Sequence, residues 1–392
     1  KYRMKPTLMT TQPFTRNRFT ISAYLLLGFY AYLQSVMGPI MPFVRAELSL
    51  NYTVTGLHLT GFAFGMVLAG ISGAPIAHRI GRKRLYWSGG LGMCLGCCLF
   101  TIARIAPLTI LGTFLMGWLG TYLLVMIQST LADVHLGNRA IAFTESNIVA
   151  SIFAVFSPII VGIGVGLGLT WRFALIFGIS IWLLIALFLR QVELPKSKSS
   201  VHDVSQKERL PRLFWFYWFV VFLSVALEWC MLFWSADFLE KVVLLPTEQA
   251  ASTVSVYLLA MVIGRIVGSR LAHRYIPRQL FWLALGVIIV GFPIFWLGQN
   301  AAINIIGLFI VGLGVSNLFP LGLSIASNVG ENASDLASSR VSLGAGTAIL
   351  ILPQLLGSTA DIIGIFNAFA IVPVFLVLLA ITLFVANRQL QS

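Results

Sequence analysis

Apolar residues recur in long runs from Ile21 to Val385, each closed by a short polar or basic break. About 20 apolar residues cross a hydrocarbon layer as a helix, at a rise of about 1.5 Å each. Twelve runs meet that length, at 19–43, 54–77, 86–104, 107–131, 141–168 and 171–190, then 213–239, 249–272, 279–298, 302–327, 339–364 and 366–387. The alternating segments of about 10 residues that mark a transmembrane β-barrel do not occur. The pattern predicts an all-α membrane protein of twelve transmembrane helices, since only helices and closed barrels satisfy the backbone inside lipid. Residues 191–212 are polar, charged and rich in Ser and Lys, and predict a linker between two bundles, 19–190 and 213–387. Residues 1–18 and 388–392 read as tails, the first too polar for a cleavable leader.

Composition agrees: 58% of the 392 residues are hydrophobic and only 10% charged. The net charge of +13 would suggest nucleic acid in a soluble chain, but the basic residues lie in loops between spans. They gather on one side, with Arg16, Arg79, Arg82, Lys83, Arg139, Arg270, Arg274, Arg340 and Arg388 among them, whereas Arg45, Arg104, Arg172 and Lys241 fall on the other. Positive loops stay in the cytoplasm, so both termini and the linker are expected there. A bacterial inner (plasma) membrane is the expected location.

The halves repeat each other. SGAPIAHRIGRKRLYW, 72–87, returns as VGSRLAHRYIPRQLFW, 267–282, with Gly73, Ala77, His78, Arg79, Leu85 and Trp87 matched at an offset of 195. Gly117 matches Gly312, Pro158 matches Pro353 and Gly162 matches Gly357 at the same offset. Parallel six-helix repeats of this kind are a transporter design.

With span number, repeat and orientation, the 74–83 loop resembles the signature of the major facilitator superfamily, G-x-L-a-D-R-x-G-R-K/R. Arg79, Gly81, Arg82 and Lys83 fit it, while Ala74 and His78 replace its glycine and aspartate. The resemblance implies two pseudo-symmetric six-helix bundles, with spans 1, 4, 7 and 10 lining a central cavity. It also implies a contact between halves on the cytoplasmic side near this loop, which a histidine cannot make as a fixed anion. His78, with an ordinary pKa of about 6.5, either responds to pH or is a solvated loop residue. Faint traces of drug-antiporter and of sugar or fucose-permease motifs do not fix a subfamily.

Glu228 sits near the middle of span 7, where a charged group is costly and a functional candidate by default. With Ser224 and Ser235 it makes a polar stripe expected to face a water-filled path. It can carry a proton, because burial disfavours the charged form, or attract a cationic substrate, or pair with Arg265 between helices. Cavity candidates on the implied spans are Tyr30, Gln34, Thr121, Gln128, Asn317 and Ser324. Trp118, Trp229 and Trp234 either stack on a substrate ring or pack. Glu145 and Arg340 occupy equivalent repeat positions, and Glu145 is expected to bond Arg270 or Arg274 across the halves as part of a gate. His78, Arg79, Arg82, Arg265 and Arg340 are placed in the same group. Asp237 and Asp361 lie near the outer surface and are expected to be solvated.

These features predict a secondary active transporter that moves a small organic solute by alternating access, coupled to protons. Efflux of amphipathic or cationic compounds is weighed against uptake of a sugar-like solute and against a uniporter, with a transporter-like sensor as the alternative of another class. The substrate, protons and the bilayer are the expected partners, the chain acting as a monomer without nucleic acid. No cofactor, metal or catalytic chemistry is expected. Cys94, Cys97, Cys98 and Cys230 all lie in apolar runs, and no G-x-x-x-x-G-K-S/T is present.

Overall fold

The computed structural model describes residues 14–135, 138–192, 194, 210–329 and 334–389. Most of the predicted linker and parts of both tails lie outside them. Among the described residues there is no strand. Twelve helices among the described residues are long and apolar enough to cross a membrane: spans 1–6 are Arg18–Leu48, Tyr52–Gly73, Arg82–Ile102, Ala106–Val134, Ile141–Gly166 and Arg172–Leu189. Spans 7–12 are Arg212–Lys241, Thr247–Leu271, Pro277–Leu297, Ala301–Ala326, Arg340–Ala368 and Ile371–Gln389.

Hydrophobic runs dictate these helices, and polar residues set several of their ends. Asn17 caps span 1 by accepting from the Thr20 amide at 2.8 Å, and Asn51 caps span 2 through the Val54 amide at 2.8 Å. Gly81, the signature glycine, stands between spans 2 and 3 at φ 87° and ψ 149°, a region open essentially to glycine alone. The two helices therefore break sharply at the basic loop.

Spans 1 and 10 are predicted as single helices, and each is interrupted. Span 1 divides into Arg18–Ser35 and Met37–Leu48, and span 10 into Ala301–Val315 and a helix that begins at Leu318. Proline explains both breaks, because its ring opposes the carbonyl four residues earlier and it donates no hydrogen bond. Pro39 lies four residues after Ser35, and Pro320 four after Ser316.

The halves obey the offset of 195. Span 1 packs on spans 5 and 6 as span 7 packs on spans 11 and 12, and spans 2, 3 and 4 cluster as 8, 9 and 10 do. A Cβ on Gly117 would strike the Phe62 carbonyl, and one on Gly312 would lie 2.6 Å from the Tyr257 carbonyl oxygen. Phe62 and Tyr257 are themselves 195 apart, so the same close crossing is built twice. Between the halves, span 5 lies on span 8, span 11 on span 2, and the outer part of span 1 on span 7.

Candidate functional site

A cavity of about 320 Å³ opens between the halves. Spans 1, 2, 4 and 5 contribute one wall and spans 7 and 8 the other. Ser35, at the proline-induced break of span 1, lines it beside Tyr30 and Gln34. Its chemistry comes from Gln34, Gln128, Asn147 and Ser151 on the first wall, and from Glu228, Trp229 and Arg265 on the second.

The cavity opens toward the side that carries the termini. Gln128, Asn147 and Arg265, within about two turns of the helix ends on that side, are exposed, whereas Tyr30 and Ser35 on the far side are buried. Hydrogen bonds between the halves occur at the opposite end. Arg45 of span 1 donates to Asp237 at 2.9 Å and to Glu240 at 3.3 Å on span 7. Asp361 of span 11 accepts from the Tyr52 and Thr53 amides at 2.7 and 2.8 Å, so a carboxylate sits on the positive N-terminus of span 2. Gln354 donates to the Thr53 carbonyl, and Thr60 to the Leu350 carbonyl. The halves are thus latched on the far side and parted on the terminal side.

Glu228 lies sixteen residues from Arg212 and thirteen from Lys241, about 24 and 20 Å along the helix. It lies deep in the protein yet keeps part of its surface toward the cavity. Arg265 is its charged neighbour and acts on it electrostatically, without a direct ion pair within 4.0 Å among the described residues. The Tyr257 hydroxyl donates to the Glu228 backbone carbonyl at 3.3 Å, behind the wall.

Among the residues expected at the cavity, Tyr30, Gln34, Gln128, Glu228 and Trp229 meet there. Thr121 stands behind them, with its hydroxyl 3.4 Å from that of Tyr30. Ser224 and Ser235 do not reach the cavity: both are buried and donate to the carbonyls of Val220 and Met231, one turn back on their own helix. Ser324 is exposed outside the cavity. Asn317 instead lines a separate apolar pocket between spans 8, 9 and 10, donating to the Gly264 carbonyl at 2.7 Å. Trp118 bonds the Tyr122 hydroxyl, and Trp234 is sealed in the far-side latch, its indole donating to the Pro353 carbonyl. Asn147 and Ser151 were missed because span 5 was not among the spans implied to line the cavity; their spacing of four, on one helical face, was the available signal.

The gate group is rearranged more deeply. Glu145 does not reach Arg270 or Arg274; it is bonded by Arg16 at 2.8 Å and by the Tyr24 hydroxyl at 3.2 Å, both from its own half. Separation of the halves on that side removes the expected partners. Glu145 in turn holds the Arg16 guanidinium above its ordinary pKa through their hydrogen bond. Arg82 pairs with Asp133 at 2.6 Å, also within one half. Arg79, Arg270, Arg274 and Arg340 are exposed. The side chain of His78 lies outside the described residues. Arg265, expected in the gate, stands in the cavity. Asp237 is not solvated: its side chain is 0% exposed and held by Arg45. Asp361 is engaged as the span 2 cap.

Paired six-helix bundles around a cavity reached from one side define a transporter fold. Residues 23–336 match the model of the Major Facilitator Superfamily, and the chain belongs to that family. It is an integral membrane protein. An uncharacterized MFS-type transporter of Yersinia pestis is 24% identical over 356 residues, covering 87% of this chain and 89% of that one. The fold is similar to the crystal structure of a bacterial homologue of the human lysosomal transporter Spinster, inward-facing and occupied, with a TM-score of 0.78 at 17% identity over 94% of this chain and 96% of the other. It is also similar to that of a D-xylose–proton symporter, with a TM-score of 0.75 at 13% identity over 94% and 96%.

Proposed function

We propose that the chain is a secondary active transporter that carries a small organic solute through this cavity by alternating access, coupled to protons at Glu228. The units 19–190 and 213–387 rock about the 191–212 linker, the terminal side is cytoplasmic, and the membrane is a bacterial inner membrane. The supporting observation is the position of Glu228, a carboxylate at mid-membrane depth, in the cavity wall and, among the described residues, in no direct ion pair. A group so placed meets water from the open side and exchanges a proton there. Similarity to a proton symporter is consistent with this coupling.

Efflux of a cationic compound fits less well, because Arg265 repels a cation from the same wall. A hydroxylated, sugar-like solute is the second reading, favoured by Gln34, Gln128 and Asn147. The test is solute-driven proton movement in proteoliposomes with a trapped pH dye. Wild-type protein is expected to move protons with its solute, and Glu228→Gln to lose the proton signal. Equal solute flux without proton movement in both proteins would identify a uniporter and sink the coupling role.

A further inference from the structure

The charge inventory of the cavity narrows the substrate. Glu228 and Arg265 are its charged lining residues, and Tyr30 is the other titratable one. Tyr257 packs behind Glu228 on span 8, and spans 1, 2, 4 and 5 bring no charge to the lining. Arg265 is exposed at the wall with no carboxylate in ion-pair distance among the described residues. A guanidinium offers a planar fork of donors that matches a carboxylate or a phosphate. Gln128 lines the cavity from the opposite half with no hydrogen-bond partner among the described residues, and Gln34 reaches only the Met66 sulfur, at 3.9 Å. Uncommitted donors therefore converge on the cavity from both halves.

Closing the cavity on unbalanced charge is costly in a low-dielectric interior. The empty site balances, with ionised Glu228 against Arg265. A monoanion bound to Arg265 leaves a net charge of −1 while Glu228 is ionised, and zero once Glu228 holds a proton. A cation leaves an excess positive charge in either protonation state. A neutral solute leaves the balance unchanged and gives no electrostatic reason for a proton to travel with it.

We infer that the substrate is a small organic monoanion, a carboxylate or a singly charged phosphate ester held by Arg265, and that it moves in the same direction as one proton carried by Glu228, with no net charge crossing. This rests on the transporter reading above and adds the substrate class and the stoichiometry. The empty and the doubly loaded forms are the two neutral ones, so they change sides, and the half-loaded forms stay where they are. The proton passes from water on one side to the Glu228 carboxylate and back to water on the other.

The test uses the full chain, purified and in proteoliposomes. Its probes are monocarboxylates and singly charged phosphate diesters of two to eight carbons, each beside the neutral amide or alcohol and the amine of the same skeleton. Anions are expected to raise the melting temperature, an effect lost in Arg265→Gln and kept in Glu228→Gln. Arg265→Lys, which keeps the charge and guards against misfolding, should retain weakened anion binding. Each anion that binds should move one proton, with accumulation unaffected by a clamped membrane potential. One uncompensated charge would instead shift accumulation about 50-fold per 100 mV. Stabilisation by amines, by neutral compounds alone or by no member of the panel overturns the inference, as does a potential-dependent flux of monoanions. Anion binding at Arg265 with proton flux that survives Glu228→Gln would instead refute only the coupling role of Glu228.

Discussion

The far-side latch holds the halves in the observed state, so weakening it should release the other state. The chosen perturbation is Asp237→Asn. Asp237 is 0% exposed and Arg45 14%, and breaking a buried pair by removing one partner costs about 3–5 kcal/mol. Here the loss is smaller. Arg45 keeps Glu240 at 3.3 Å and lies 4.6 Å from the centre of the Tyr52 ring. The second oxygen of Asp237 is buried without a partner among the described residues, so the native pair is itself imperfectly satisfied. About 2 kcal/mol is a fair figure for what remains, which shifts the balance of states about 30-fold. The assay is a spin-label distance between Ile105→Cys and Leu244→Cys. These positions are 56% and 79% exposed, lie on far-side loops of opposite halves, and the native cysteines are buried or half-buried. The ratio of short to long distances should fall about 30-fold, and Asp361→Asn should act in the same direction. If both variants melt earlier while the distances stay put, the carboxylates serve packing alone and the latch argument is wrong.

The fold was legible because it rests on periodicities that one sequence displays: apolar run length and the offset of 195. Glu228 was legible too, since a carboxylate in the middle of an apolar run has few uses. What failed was the pairing of charges. Glu145 was assigned partners in the other half, but pairing across a moving interface depends on which side is open, and the sequence does not encode the state. Arg265 was read as a gate residue, although it stands six residues from the end of span 8, deep enough to meet the cavity. Asp237 was read as solvated from its nearness to a helix end, yet span 1 runs on to Leu48 and brings Arg45 over it. The repeat did hold one unused signal. Arg45 and Glu240 are 195 apart, and equivalent residues beside a pseudo-twofold axis face one another.

Gly81→Ala should cost about 1–3 kcal/mol, seen as a lower melting temperature, because alanine resists φ 87° with ψ 149°; an unchanged value would deny the strain. Gly117→Ala and Gly312→Ala should each destabilise by about 1–3 kcal/mol, since each Cβ meets a carbonyl of the neighbouring helix. Equal effects would support the shared geometry of the two crossings. His135 lies just past the end of span 4, bonded at 2.8 Å to the Thr20 hydroxyl, and burial lowers its pKa from the ordinary 6.5. The unfolded chain then binds the proton more readily, so this contribution to stability is present above about pH 6.5 and is lost as the pH falls through the lower folded-state value. His135→Gln should flatten that part of a melting-temperature profile between about pH 5 and 7.5, and an unaltered profile would assign the dependence elsewhere. The pseudo-twofold relation of Arg45 and Glu240 makes the sharpest demand. Arg45→Glu alone gathers three carboxylates against the single cation Lys241, which lies 3.3 Å from Glu240, and should abolish the closed far side. Adding Glu240→Arg exchanges the charges across the axis and puts the new cation one turn from Asp237, where it can serve both acids. The double variant should regain the short label distance, with a coupling energy of about 2 kcal/mol in a double-mutant cycle. A double variant as open as Arg45→Glu alone would mean that the two positions are equivalent in sequence offset only, and that Asp237 depends on the reach of Arg45 from span 1.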